Sequence, residues 1–231
     1  MIQNCPLTIS NEPPKSTGLG RVPAPRGHSI DVVGIGTSTG GPNALADVVV
    51  QLPEDLPVPV VVVQHMPPVF TRILAERLDA TCAVQVHEAE NGMKLEPGHV
   101  YIAPGDYHMI VRGRLRPTIR LSQDGAENSC RPAVDVLFRS LAETYGGSVL
   151  GVVMTGMGKD GYLGAEALVA AGSTMVVQGE ASSVVWGMPG YIARANLADA
   201  VIPLSQIGTD ITRRVRRAAK RQQQAMGGGV R

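Results

Sequence analysis

From Asp31 onward the chain alternates short apolar runs with stretches in which apolar residues recur every three or four positions. Val58 to Val63, interrupted only by Pro59, is apolar on both faces of an extended chain, the pattern of a parallel strand covered by helices on each side. Val134, Leu137, Phe138, Leu141 and Ala142 follow helical spacing instead, as a helix face buried in a core would. The pattern predicts strands at 31–36, 59–64, 84–87, 99–103, 149–154, 174–178 and 200–202, and helices at 41–52, 69–80, 132–145, 160–172 and 204–221. Their alternation signals parallel βαβ units. Residues 107–121 break the rule, because Tyr107 to Val111 and Leu115 to Leu121 flank the polar Arg112-Gly113-Arg114, which reads as an antiparallel hairpin. The expected fold is α/β: a doubly wound, mostly parallel sheet with helices on both faces and one antiparallel hairpin.

Composition sets the limits of this picture. A chain of 231 residues with 44% hydrophobic residues can bury one large core without metal or disulfide staples. Residues 1–28 carry Pro13, Pro14, Pro23 and Pro25 among Ser, Gly and Arg, and are expected to be a disordered tail or linker ahead of a domain at 29–210. No run approaches 18 apolar residues and the first 30 lack the apolar stretch of a signal peptide, so a soluble, cytoplasmic protein is expected. Cys5, Cys82 and Cys130 are an odd set without CxxC spacing, which points to reduced structural thiols and not to a disulfide framework or a zinc site. The net charge of +1 conceals an asymmetry: residues 211–231 hold seven Lys or Arg and no acid, while the body between 29 and 210 is acidic. That basic end reads as a solvated helix terminus and flexible tail, where cations suit the helix dipole. No aromatic platform accompanies it, so no nucleic acid is expected.

Three polar signals stand just past the carboxyl ends of predicted strands, the edge where open α/β sheets place their sites. Ser38 lies in Gly36-Thr37-Ser38-Thr39-Gly40, which fits a Gly-x-Ser-x-Gly nucleophile turn. His65 follows the second valine-rich strand, and Asp160 lies in Thr155-Gly156-Met157-Gly158-Lys159-Asp160-Gly161. A serine hydroxyl needs a base to take its proton, and the base needs a carboxylate to fix its tautomer; the three residues supply one of each. Backbone N–H groups after Ser38, at a helix start, could hold an oxyanion. Each element has a plainer reading: Ser38 as a helix cap, His65 as a satisfied strand-end histidine, Asp160 as a cap or turn residue. Gly34 and Gly36 also fit a dinucleotide loop, but Gly40 falls one position late for Gly-x-Gly-x-x-Gly and the second strand ends in Gln64-His65 where an acidic residue is needed. His28, His87, His99 and His108 form no HxH or HxxxH pair, and structural or solvated roles are expected for them.

Five motifs in register, Gly36-Thr37-Ser38-Thr39-Gly40-Gly41, Gln64-His65-Met66-Pro67, Arg131 to Phe138, Thr155 to Gly161 and Glu180 to Pro189, resemble the catalytic domain of the CheB-type chemotaxis methylesterases. The resemblance implies a serine esterase that hydrolyses glutamate γ-methyl esters on the cytoplasmic domains of methyl-accepting chemoreceptors, releasing methanol, with deamidation of receptor glutamines as a second acyl transfer. By motif position it makes Ser38 the nucleophile, His65 the general base and acid, and Asp160 the orienting carboxylate, with Thr39 and Met157 lining the substrate or oxyanion site. It implies no cofactor, no metal and no membrane insertion. Family members usually carry an N-terminal receiver domain, for which residues 1–28 leave no room, so a separate regulatory protein is expected in its place. Thr37 stands where the family often has alanine; its hydroxyl could crowd the site or compete for His65, and is expected to be tolerated. The alternative on the same fold is a catalytically silent receptor- or partner-binding module.

Overall fold

The structure is a computed structural model that describes residues 29–227; the expected tail at 1–28, with Cys5 and His28, lies outside the described residues. Seven strands, β1 (Val32–Thr37), β2 (Val60–Gln64), β3 (Gln85–Glu88), β4 (His99–Ile102), β7 (Val149–Val153), β8 (Thr174–Gln178) and β9 (Ala200–Ile202), form one parallel sheet in the order β3-β4-β2-β1-β7-β8-β9. The period of two sorts each strand between two cores. Val33, Ile35, Val60 and Val62 face helices α1 (Gly41–Val49), α2 (Phe70–Asp79) and α6 (Leu204–Gly227), with Leu45, Leu78, Ile207, Ile211 and Val215 completing that core. Val32, Val61 and Val63 face α3 (Val134–Tyr145), α4 (Tyr162–Ala170) and α5 (Met188–Arg194), which add Leu137, Phe138, Leu168 and Ile192. This is the doubly wound arrangement expected from valine runs with no polar face.

Gly34 and Gly36 have a packing role that the sequence left open. A Cβ at Gly34 would lie 2.6 Å from Leu141 Cδ1 and one at Gly36 would lie 2.5 Å from Val134 Cγ1, so both glycines let α3 press directly on β1. The residues that hinted at a phosphate loop are thus occupied in helix-on-sheet contact.

The hairpin pairs β5 (His108–Arg112) with β6 (Thr118–Ser122) as a separate two-stranded sheet. It is tied to α3 by Val111 N–H donating to Ser140 Oγ at 3.0 Å and Thr144 Oγ1 donating to Val111 O at 2.8 Å. β6 begins later than the apolar pattern implied, because Leu115 belongs to the turn and is 97% exposed. Two other features departed from expectation. α5 was not foreseen, since a seven-residue helix opening on Met188-Pro189-Gly190 carries too few turns to show a period. α6 runs to Gly227, beyond 221, and its Ile211, Val215 and Ala218 are buried, so the first turns of the basic end belong to the core.

The chain reverses direction across the sheet between β1 and β7, where β2 lies to one side and β8 to the other. In open parallel sheets the crevice outside the carboxyl ends at such a switch point is where ligands bind. Ser38 follows β1, His65 follows β2 and the loop to Asp160 follows β7.

Candidate active site

Ser38 is half-buried at the end of β1, and three hydrogen bonds to its own main chain set its position. Its N–H donates to Thr155 O at 3.0 Å, and its carbonyl accepts from Gly41 N–H at 2.8 Å and from Gln64 Nε2 at 3.0 Å. Gly156 packs against it so closely that a Cβ there would lie 2.9 Å from Ser38 Cβ and 2.3 Å from Met188 Sδ. The turn is completed by Gly40 at φ 80°, a left-handed conformation that glycine adopts without strain. Ser38 itself is not among the residues with positive φ, so the turn is relaxed at the serine and differs from a strained nucleophile elbow.

Thr37, the departure from the family pattern, is fully buried and donates its hydroxyl to Thr155 O at 3.0 Å. Its hydroxyl is therefore spent on the neighbouring strand's loop and does not compete for His65. Gln64, also buried, bridges the carbonyls of Ser38 and His65, at 3.0 and 2.9 Å, and His65 N–H donates to Thr37 O at 3.1 Å. These bonds clamp the ends of β1 and β2 together beneath the site.

His65 and Asp160 meet through side chains, with Nε2 2.7 Å from Asp160 Oδ2. Asp160 is 2% exposed, and instead of capping its own helix it receives the start of α3: Val134 N–H at 2.6 Å on Oδ2 and Asp135 N–H at 3.0 Å on Oδ1. Gly161 N–H and Asn128 Nδ2, both at 3.0 Å, complete its shell. Burial opposes its charge, but the bonds from His65, Val134 and Asp135 outweigh that and hold the carboxyl below the usual carboxylate range. Asp135, equally buried, shows the opposite result: burial, reinforced by the negative Asp160 beside it, pushes its carboxyl up despite bonds from Gly164 N–H and Asn128. Asn128 Nδ2 thus bridges two carboxylates, at 2.9 Å from Asp135 and 3.0 Å from Asp160.

The other ring nitrogen of His65 does not reach Ser38. Nδ1 stands 3.5 Å from Cys130 Sγ, and Ser38 Oγ forms no hydrogen bond to the ring; serine and histidine share the site through main chain. Burial works against a charge on His65, but Asp160 and the Cys130 sulfur overcome it and raise the imidazole from 6.5 to about 9. Cys130 is a free thiol, as expected, and it touches His65. Cys130, Asn128 and Asp135 are the site residues that sequence reasoning missed; the only signal was their position within or just before the Arg131 to Phe138 motif.

Among the two residues expected beside the triad, Thr39 is exposed at the turn, with its carbonyl accepting from Thr155 Oγ1 at 2.9 Å, and Met157 is 73% exposed on the facing loop. The segment from Glu180 to Pro189 closes one side. Gly156 N–H donates to Val185 O at 2.9 Å, Gly187 and Met188 N–H return to Gly156 O at 3.1 and 2.9 Å, and Val184 packs over Gly40. Buried Gln178 anchors this segment by accepting from Thr155 N–H at 2.8 Å and donating to Ser182 O at 2.6 Å. Cavities of about 280 Å³ and 290 Å³ lie away from the site, at the amino ends of the strands and beside β3–β4. In the second, His87 and His99 stack with Nε2 and Nδ1 3.0 Å apart, a pair made by strand register and invisible to sequence spacing. His108 has the structural role expected, buried between Ala133 N–H and Gly125 O.

A family model described as CheB methylesterase matches residues 33–211. The chain is 51% identical over 187 residues to the protein-glutamate methylesterase/protein-glutamine glutaminase of Trichodesmium erythraeum, covering 80% of this chain and 53% of that protein. It is 50% identical over 192 residues to the second such protein of Caulobacter vibrioides, covering 82% and 55%. The chain thus spans about half the length of the curated relatives it matches. The crystal structure of the Thermotoga maritima CheB methylesterase catalytic domain superposes with a TM-score of 0.78 at 41% identity, covering 80% of this chain and 98% of that one.

Proposed function

Because this chain belongs to the CheB methylesterase family, we propose that it is a serine esterase that hydrolyses glutamate γ-methyl esters on the cytoplasmic domains of chemoreceptors. The observation that carries the proposal is the His65–Asp160 pair, at 2.7 Å, standing beside Ser38 at the switch point of the sheet. The catalytic unit in this reading is 29–210, and its substrate puts its work in the cytoplasm.

Asp160, held charged by its hydrogen bonds, keeps the Nε2 proton of His65 pointed at itself and so leaves Nδ1 as the nitrogen that exchanges protons. Ser38 Oγ attacks the ester carbonyl as Nδ1 takes its proton, a contact that substrate binding has to close. The tetrahedral oxyanion is held by the N–H groups of Thr39 and Met157, neither of which has an acceptor among the described residues. Collapse expels methanol, which takes the proton from His65. Water then attacks the acyl-serine and gives its proton to the same nitrogen, which passes it to Ser38 Oγ as the glutamate carboxylate leaves. With a glutamine side chain the same steps release ammonia, which accords with the double name of the relatives.

A fluorophosphonate probe tests the reading directly against a silent binding module of the same fold. Stoichiometric labelling located on Ser38 by mass spectrometry is the expected result; an unlabelled serine at pH 9, where His65 is half-neutral, would overturn it.

A further inference from the structure

We propose that Cys130 and His65 form a binding site for a soft divalent cation of the zinc class, and that filling this site silences the esterase. The binding stands on geometry alone; the silencing rests on the reading of His65 as the general base.

Cys130 Sγ lies 3.5 Å from His65 Nδ1. A tetrahedral zinc ion, with bonds of about 2.3 Å to sulfur and about 2.0–2.1 Å to nitrogen, holds those two atoms about 3.5–3.6 Å apart. The ion therefore fits between them with almost no movement of either side chain. On the far side of the ring Asp160 Oδ2 binds Nε2 at 2.7 Å, which fixes the tautomer that offers a lone pair at Nδ1 and supplies the carboxylate–histidine–metal arrangement found behind metal-bound imidazoles. One ligand-capable atom from each of His65, Cys130 and Asp160 lies within 4.8 Å of the others. Cys130 and His65 are both partly exposed, His65 over 13% of its side chain, which leaves the ion a path from solvent and room for water in its remaining positions.

Binding replaces the thiol proton, now directed at Asn128 O at 3.4 Å, and releases it to solvent. A protonated imidazole gives up its Nδ1 proton in the same event, and no electron changes hands. Thiolate with imidazole selects Zn²⁺, Cd²⁺ or Co²⁺ over Mg²⁺ and Ca²⁺. Once Nδ1 is bonded to the metal it can no longer take the Ser38 proton. The absence of CxxC spacing, which argued against a zinc site in the sequence, does not bear on this one, because its ligands are 65 positions apart and meet only at the sheet edge.

Co²⁺ serves as the probe, titrated into the full chain while thiolate-to-cobalt charge-transfer absorption is recorded. One cobalt per chain with that band is expected, displaced by Zn²⁺ and not by Mg²⁺. The band should vanish in Cys130→Ala and in Cys130→Ser, both checked for folding by circular dichroism, and persist in Cys82→Ala. In Asp160→Asn the affinity should fall about 10-fold or more. No band, or a band that survives in both Cys130 variants, overturns the site. In parallel, Zn²⁺ should stop ester hydrolysis by the native chain and leave the residual rate of Cys130→Ala unchanged. Hydrolysis at full rate with the cobalt band saturated would overturn the silencing. A native chain that is inactive even after chelator treatment would instead count against the esterase reading, with the band still deciding the metal site.

Discussion

At the scale of single residues, His65 decides how the site responds to pH. In the proposed mechanism His65 must be neutral to act as the base, and the neighbouring Asp160 and Cys130 favour the protonated ring strongly enough to raise its pKa to about 9. Esterase rate is therefore expected to climb with pH across the neutral range and level off only near 9, where an unperturbed imidazole would have levelled near 6.5. Cys130 contributes to the raised value, so Cys130→Ala should move that limb toward neutrality. A pH–rate profile of native chain and variant, recorded with chelator present, checks both; a profile already flat by pH 7 in the native chain would contradict the assignment. Asp160 carries the complementary role, since five groups donate to its two oxygens. Removing its charge while keeping its shape, as in Asp160→Asn, should cost on the order of 10⁴-fold in turnover, as loss of the carboxylate does in a studied serine protease triad.

At the scale of elements, the site is assembled from three strand-end turns that have almost no room between them. Gly156 makes one of the tight contacts, because any side chain there meets Ser38 and Met188 together. Gly156→Ala should destabilise the fold by about 1–3 kcal/mol, the usual range for overpacking, and displace Ser38, so activity should fall further than the shift in denaturation midpoint explains. The sequence disclosed the elements well where a pattern repeats: the valine runs of β1, β2 and β7 and the apolar stripe of α3 are visible because parallel strands buried on both faces leave no polar alternation. It disclosed α5 poorly, since two helical turns establish no period. The candidates Ser38, His65 and Asp160 were legible from local features, since Ser38 and His65 directly follow β1 and β2 and Asp160 lies in the glycine-rich loop after β7. Cys130, Asn128 and Asp135 were not, because what brings them to the site is contact around the start of α3 with His65 and Asp160, far away in the chain. Gly34 and Gly36 show the converse: their glycine pattern is local, while its cause, the approach of α3, is not.

At the scale of the whole molecule, charge and shape separate along α6. Arg213 and Arg214 are paired with Asp210 and Arg216 with Asp55, whereas Arg217, Lys220 and Arg221 are exposed and without an ion pair among the described residues. A basic ridge on an otherwise acidic body suits a glutamate-rich receptor surface, and the burial of Ile211 and Val215 means that truncation at 211 would test folding and not docking. Reversing Arg217, Lys220 and Arg221 to Glu is the appropriate change. Affinity for a chemoreceptor cytoplasmic fragment at low salt should drop and lose its salt dependence; unchanged binding would remove α6 from the interface. The proposed function places hydrolysis at Ser38, and methanol release from a methylated chemoreceptor fragment measures it most directly. The native chain should release methanol in proportion to the glutamate ester lost, and Ser38→Ala, folded as judged by its melting temperature, should release none. Equal release by the two chains, or none by the native one, would contradict Ser38 as the nucleophile of an esterase.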